Sequence, residues 1–398
     1  MAFAAAAAPR EEFLTGARLK MWCRVFGGVW LCAGLGFIVW GLWLGGIDPN
    51  GKPLGTDFAS FYAASTLALA GHPEQAYDIA SHYAAQTAIF ARDIGYSAFF
   101  YPPVFLLYCL PFAMLPYLWS LLAWQGATLL LYWRVARRFA GEQPLGALPI
   151  FAFPAVIVTL GHGQNAFLST GLFGLATLCQ RSRPLLAGVC FGALVYKPQL
   201  GIVIPFALVA AGRWRTLFSA AATVAALALA SAAVFGLDTW RAFLAGMPLA
   251  QSALEQDLVG FYKMQSSFAA VRVLGGGAAL ASAIQGLATL AAIAVVIAVR
   301  RRKSDPQMPI EATAALLASP FLLDYDLTLL ALPLCFLFRE GLRSGFRPHE
   351  KLACVAAFAL PAFSRELAYQ LHLPLAPLVV AAVLALLARR ALEAPAAR

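Results

Sequence analysis

Asp57 lies in "PLGTDFASFYAAS", residues 53–65, among aromatic and small residues that follow a long apolar run ending near Gly46. A carboxylate at a membrane surface, flanked by Phe58 and Phe61, is a candidate to accept a proton as a general base. An aspartate in "GTDF" also reads as a helix cap, because its oxygens can take first-turn N–H groups. Lys197, in "LVYKPQLG", has about a dozen apolar residues on either side. An ammonium in such a setting costs about 3 kcal/mol at mid-membrane unless it snorkels or pairs. Pro198 marks a broken helix, which is tolerated where it lines a cavity. A cation facing that cavity suits an anionic ligand, with phosphate the first candidate.

Fewer signals surround the remaining polar residues. His162, Gln164 and Asn165 share the glycine-rich "GHGQN", and Gln199 follows Lys197 by two positions. Asp324, Tyr325 and Asp326, in "SPFLLDYDL", stand at the junction of two apolar runs, where two acids could hold a sugar hydroxyl or a metal, or cap the next helix. No second acid cluster with metal-ligand spacing accompanies them, so neither a metal nor a cofactor is expected. Tyr101, in "AFFYPPVF", opens an apolar run where tyrosine anchoring at an interface is ordinary. Arg272 and Arg365 are read as either topology errors or contacts to an anion.

The elements that position these residues must be membrane helices. The chain is 61% hydrophobic and 12% charged, with a mean hydropathy of +0.74, whereas soluble domains are about half apolar and a quarter charged. Apolar runs recur from Met21 to Leu387, giving one polytopic unit over 21–390 between tails at 1–20 and 391–398. The net charge of +10 does not indicate nucleic acid, because the arginines fall in short clusters between apolar runs, as in cytoplasmic loops. Seven cysteines without a CxxC pair read as packing residues rather than a disulfide or zinc framework. The first run has no small-residue cleavage site after it and reads as a retained span.

About thirteen apolar candidates satisfy or approach the span length of roughly 20 residues. They lie near 25–45, 100–115, 118–139, 145–160, 165–180, 184–198, 199–212, 215–235, 278–300, 310–324, 326–339, 351–368 and 374–390. Basic residues near both termini favour a cytoplasmic location for each, so the count must be even. About twelve spans are expected, with the proline-broken 100–115 and 145–160 the candidates for not crossing. Residues 47–98 then form an extracytoplasmic loop, which carries five acids against two bases, a net charge of −3. Within it Phe58, Phe61, Tyr62, Ser65 and Leu69 recur with helical spacing, and Pro73 suits the first turn of a second helix. Two amphipathic helices lying on the membrane surface are expected there. The same topology gathers Asp57, "GHGQN", the loop 236–277 and "SPFLLDYDL" on the outer face.

These stretches, together with "FFYPPVFLLYCLPFAMLPY" and "LAGVCFGALVYKPQLGIVIPF", come in the order and rough spacing of glycosyltransferase family 87, which the chain resembles from about residue 20 to 390. That family belongs to the GT-C superfamily of polytopic membrane enzymes and includes polyprenol-phosphate-mannose-dependent mannosyltransferases. The resemblance implies an all-α GT-C-type bundle in a bacterial inner membrane. It also implies transfer of a hexose, mannose foremost, from a polyprenyl-phosphate carrier to a lipid or glycan acceptor on the outer side. In such enzymes the acid of the first large outer loop activates the acceptor hydroxyl, and by position that acid is Asp57. Some relatives carry a histidine where this chain has Tyr325 or Asp326; the departure moves the expected phosphate contact to Lys197, with His162 or an outer arginine beside it. The competing class is a secondary transporter or a protein translocating the lipid carrier, which predicts repeated halves around a midplane site. Only one interruption, at Lys197 and Pro198, fits that pattern.

Overall fold

Backbone N–H and C=O groups surrounded by hydrocarbon must be satisfied within the segment, which leaves the helix as the available element for this composition. The computed structural model describes residues 15–48, 51–142, 145–302 and 307–393; of the tails expected at 1–20 and 391–398, residues 1–14 and 394–398 lie outside them. Among the described residues the fold is 77% helix with no strand, as the all-α expectation requires. These residues form nineteen α-helices, with five short 3₁₀ segments among the connections. Thr15 caps the first, α1 (Gly16–Trp43), by accepting the Arg18 N–H.

Among the described residues four helices are long and apolar enough to cross a bilayer: Lys20–Trp43 within α1, α12 (Trp214–Phe235), α15 (Ala278–Arg301) and α18 (Glu350–Leu371). At 1.5 Å per residue each reaches at least about 33 Å, enough for a hydrocarbon core of roughly 30 Å. Their outer faces leave Val39, Trp43, Leu229, Leu287 and Leu290 largely exposed. Continuous apolar surface of this extent is stable against lipid, so the chain is a membrane protein. α1 meets the rest through Gly27, Gly34 and Gly41, seven residues apart, which face Ala152, Ile157 and Leu54.

Proline divides most of the other apolar runs. The candidate 100–115 becomes α4 (Val104–Cys109) and a 3₁₀ turn at Phe112–Met114. After α5 (Tyr117–Ala140), the candidate 145–160 splits into α6 (Leu148–Phe151) and α7 (Pro154–His162). α8 (Ala166–Cys179) is followed by α9 (Pro184–Gly192), α10 (Pro198–Gly201) and α11 (Ile204–Ala210). Beyond α12 come α13 (Leu237–Glu255) and α14 (Ser267–Val273), then α15, α16 (Ile310–Ala318), α17 (Ala331–Ser344), α18 and α19 (Ala376–Glu393). One large apolar core joins α5, α7 to α9, α11 and α15 to α19. A second, aromatic one gathers Phe58, Phe61, Phe99, Phe105, Trp124, Tyr196 and Phe235 around α2 (Thr56–Leu69).

The segment 47–98 departs from the expected pair of surface helices. α2 buries Phe58, Phe61 and Ser65 against the protein, so its apolar stripe is an internal packing face. Pro73 opens a 3₁₀ turn, Pro73–Tyr77, rather than the second helix. That helix, α3 (Ile79–Phe90), starts after Asp78, whose carboxylate takes the Ser81 N–H at 2.8 Å. The two helices are tied by a buried polar net. His82 Nε2–H donates to the Ser60 carbonyl at 3.0 Å, and its Nδ1 accepts from Gln86 Nε2 at 3.2 Å, an arrangement that fixes a neutral ring. Gln86 also donates to the Ser97 carbonyl and accepts the Ser97 N–H.

Burial holds His82 down at about 4, from an ordinary 6.5, with the Ser60 carbonyl opposing. The unfolded chain therefore takes up a proton before the folded one does. The stabilisation from this neutral ring is whole above pH 6.5 and is lost as pH falls toward 4. The full span of that loss is on the order of 3 kcal/mol. The hydrogen-exchange protection factors of α2 and α3, taken relative to the intrinsic rate at each pH, are expected to fall between those limits, and the acid-side loss is expected to shrink in His82→Asn. An unchanged acid limb in the variant would assign the titration elsewhere.

Candidate active site

Asp57 stands in the first turn of α2, where the helix N-terminus favours a negative charge. The cap itself is Gly55, in a left-handed conformation, so the Asp57 carboxylate makes no capping bond. It accepts instead from Gln164 Nε2 at 2.9 Å. Gln164 Oε1 takes the Asn165 N–H at 2.8 Å and the Tyr101 hydroxyl at 3.3 Å. With its oxygen engaged twice, the amide must turn its NH₂ toward Asp57.

Close backbone approach makes this contact possible. Gly163, in "GHGQN", has φ +66°, and a Cβ on it would come within 2.6 Å of Phe58 Cβ and 3.0 Å of Gly55 Cα. Only glycine fits a left-handed residue under that approach. The neighbouring His162 ends α7, and its Nδ1 lies 2.8 Å from Thr56 Oγ1. Two consecutive residues of α2, Thr56 and Asp57, are thus held by His162 and Gln164.

Tyr325 links this group to a second one. Its buried ring lies 5.9 Å from His162 and 5.2 Å beneath the Lys197 ammonium. Lys197 follows a 3₁₀ turn, Ala193–Tyr196, and precedes α10, so the helix is interrupted at Pro198 as expected. Its Nζ bonds Asp326 Oδ1 at 2.6 Å, with both side chains about 95% buried. The ammonium expected to face a ligand freely therefore has a partner within the chain. Asp326 Oδ2 accepts the Leu323 N–H at 3.2 Å, so this acid both pairs with Lys197 and caps its own 3₁₀ helix, Asp324–Leu330.

Asp324 turns the other way. One oxygen takes the Tyr325 N–H and the other meets Arg365 Nη1 at 3.5 Å, within electrostatic reach of His162 and Asp57. Arg365 comes from α18, is a third exposed and lies over the Tyr262 ring at 5.8 Å. Tyr262 and Lys263 belong to the loop 236–277 and reach the site because Gln265 N–H bonds the Leu322 carbonyl, alongside the Met264–Leu323 bridge. Arg272 stays outside: it covers the Phe261 ring and donates to the Gly276 and Glu255 carbonyls.

The structure thus brings together Asp57, Tyr101, His162, Gln164, Asn165, Lys197, Asp324, Tyr325 and Asp326. Gln199, half-buried in α10, makes no side-chain hydrogen bond among the described residues. Asn165 is fully buried, and among the described residues neither polar atom of its side chain makes a hydrogen bond of good geometry, although the Tyr101 hydroxyl lies near it. Thr56 and Tyr262 were not singled out by their sequence contexts, and Arg365 was read only as a topology error or a contact to an anion. For Thr56 the signal was adjacency to Asp57; for Arg365 it was a positive charge on the outer side. Among the described residues no three His, Cys, Asp or Glu side chains are grouped to hold a metal.

Residues 99–322, just over half of the chain, match glycosyltransferase family 87. The chain belongs to that family. The match includes Tyr101, "GHGQN" and Lys197, and ends just before Asp324. No curated protein and no solved structure matches the chain. Membership makes this family 87 protein a membrane glycosyltransferase, with a sugar donor and an acceptor as its substrates.

Removing one member of the Lys197–Asp326 pair leaves a buried charge alone, which costs about 3–5 kcal/mol. Lys197→Met and Asp326→Leu are each expected to lower the melting temperature sharply, and the double variant to recover much of the loss. Additive losses in a double-mutant cycle would show that the two side chains do not act as a pair. Gly163→Ala is expected to cost at least about 1–2 kcal/mol in thermal unfolding, from the left-handed backbone alone.

Proposed function

We propose that this family 87 protein transfers a hexose, with mannose the first candidate, from a polyprenyl-phosphate sugar to a hydroxyl of a lipid or glycan acceptor. The reaction takes place at the extracytoplasmic face of a bacterial inner membrane, in a GT-C-type bundle of about twelve spans in which short proline-broken helices complete the crossings. The observation that carries this reading is the Asp57 carboxylate: half-buried, free of capping, and aimed by Gln164 in a membrane glycosyltransferase.

A lipid phosphate leaves as a stable anion, so no general acid is required, while a base on the acceptor and positive charge near the phosphate are useful. Asp57 draws the proton from the acceptor hydroxyl. The acceptor oxygen attacks the anomeric carbon from the face opposite the phosphate, the carbon–phosphate oxygen bond breaks, and configuration inverts. Arg365 holds Asp324 only at 3.5 Å and is the cation with most freedom to turn toward the departing phosphate. Lys197 supplies positive charge, and His162 hydrogen-bonding capacity, behind it. The orphaned amide of Asn165, with Tyr101 and Gln164, offers donors and acceptors to sugar hydroxyls. Tyr325 forms the floor between them.

In reconstituted membranes with labelled polyprenyl-phosphate sugar, Asp57→Asn is expected to lower transfer by about 10²–10⁴-fold while the protein remains folded. Full transfer by that variant would remove Asp57 as the base. Movement of the labelled lipid across the bilayer unchanged, without transfer, would favour a translocating carrier instead.

A further inference from the structure

The arginines at the end of the bundle away from Asp57 fall into junctions of two kinds. At the α15–α16 junction, Arg300 makes a two-pronged bond to Glu311, at 2.5 and 2.6 Å, with both side chains buried. At the α18–α19 end, Arg390 does the same with Glu350, at 2.6 Å for each prong. In both places the chain supplies its own carboxylate. A planar guanidinium matches carboxylate and phosphate oxygens equally well.

The junction between α8–α9 and α11–α12 lacks that carboxylate. Arg213 Nη1 donates to the Gln180 carbonyl at 2.6 Å, and no other hydrogen bond or ion pair engages its guanidinium among the described residues. Four of its five N–H donors therefore have no protein acceptor. Gln180 is itself buried, and its side-chain Nε2 has no hydrogen-bond partner among the described residues. Arg181 and Arg183 follow in the exposed α8–α9 turn, and Arg215 is exposed one residue into α12 beyond Trp214. Burial, and the positive charge of Arg300 and Arg181, pull the Arg213 guanidinium below its ordinary value against the opposing pull of Glu311. The site is thus electropositive and half-buried, and the acid that neutralises its counterparts is missing.

Its place in the fold indicates the source of the missing anion. Trp214, half-exposed, is the first residue of α12, one of the four helices able to cross a bilayer, and tryptophan at such a position marks the interface. Leu185 on α9 and Phe218 on α12 extend exposed apolar surface from the same level toward the hydrocarbon. Phosphate at that depth, with acyl chains below it, describes a phospholipid.

We propose that Arg213 and Arg181, with the Gln180 amide, form a binding site for the headgroup phosphate of an anionic phospholipid. The site is one length of α8 away from Asn165, about 21 Å for 14 residues, and is separate from the candidate active site. The lipid completes the junction as Glu311 and Glu350 complete the other two. This assignment does not depend on the reaction proposed above.

The test uses the full-length purified protein in neutral detergent, with dioleoyl-phosphatidylglycerol or dioleoyl-phosphatidylcholine added as mixed micelles. Native mass spectrometry counts retained lipid and thermal unfolding reports its effect. Wild type is expected to retain phosphatidylglycerol and to melt at a higher temperature with it than with phosphatidylcholine. Arg181→Gln and Arg213→Gln are each expected to weaken retention about fivefold. The control pair Arg301→Gln with Arg302→Gln, basic residues at the same end, is expected to leave retention in place. Gln180→Glu puts a carboxylate on the residue that already holds Arg213. It is expected to raise the lipid-free melting temperature and abolish the phosphatidylglycerol response, which keeps the test decisive if Arg213→Gln fails to fold. Equal loss in the control pair, an equal response to both lipids, or an equal response to millimolar inorganic phosphate would each overturn the headgroup site.

Discussion

The backbones of Gly55 and Gly163 meet with no room for a side chain on Gly163, and the polar half of the site is arranged around that contact. Because the two turns touch, consecutive residues on one, Thr56 and Asp57, reach consecutive polar groups on the other, His162 and Gln164. Both glycines hold left-handed conformations that a larger residue would strain. A shift of an ångström in this contact would break hydrogen bonds of 2.8–2.9 Å, so the precision of the site rests on packing rather than on polar attraction.

Polar groups in this protein are matched locally and at short range because the surroundings offer them little water. Lys197 is covered by Asp326, Arg300 by Glu311 and Arg390 by Glu350. Such pairs are poor sources of stability relative to apolar packing, but each is strongly specific once formed, since a lone partner is so unfavourable. Tyr325 separates two sorts of charge management. On the Lys197 side the charges are fully paired and buried; on the Asp57 and Arg365 side they are looser and partly exposed. The second side is the one that keeps some contact with solvent.

Much of this was legible because ionisable residues are rare in so apolar a chain. Asp57, His162, Lys197, Asp324 and Asp326 stand out against their neighbours, and the family resemblance from residue 20 to 390 is matched over 99–322. What the sequence could not supply is pairing across distance. Lys197 and Asp326 are 129 residues apart, and Arg365 and Asp324 are 41 apart, with no local pattern linking either pair. Helix boundaries were equally hard to read where proline interrupts an apolar run: Pro73 could begin a helix by its fixed φ, yet a 3₁₀ turn satisfies the same constraint and leaves Asp78 to cap α3. The stripe on α2 had the spacing of a lipid-facing helix, and spacing alone does not say whether lipid or protein covers it.

α1 is bound to the rest of the molecule by shape. From Met21 to Trp43 no hydrogen bond or ion pair joins it to another element among the described residues, and its contacts run along three glycines against aliphatic side chains. Its axial position is therefore governed by the match between its apolar length and the surrounding bilayer. The strand of chain leaving its end reaches Asp57 within fourteen residues, through the Leu54 N–H bond to the Gly46 carbonyl. Membrane thickness and the seating of the carboxylate are consequently mechanical neighbours, linked by one short tether.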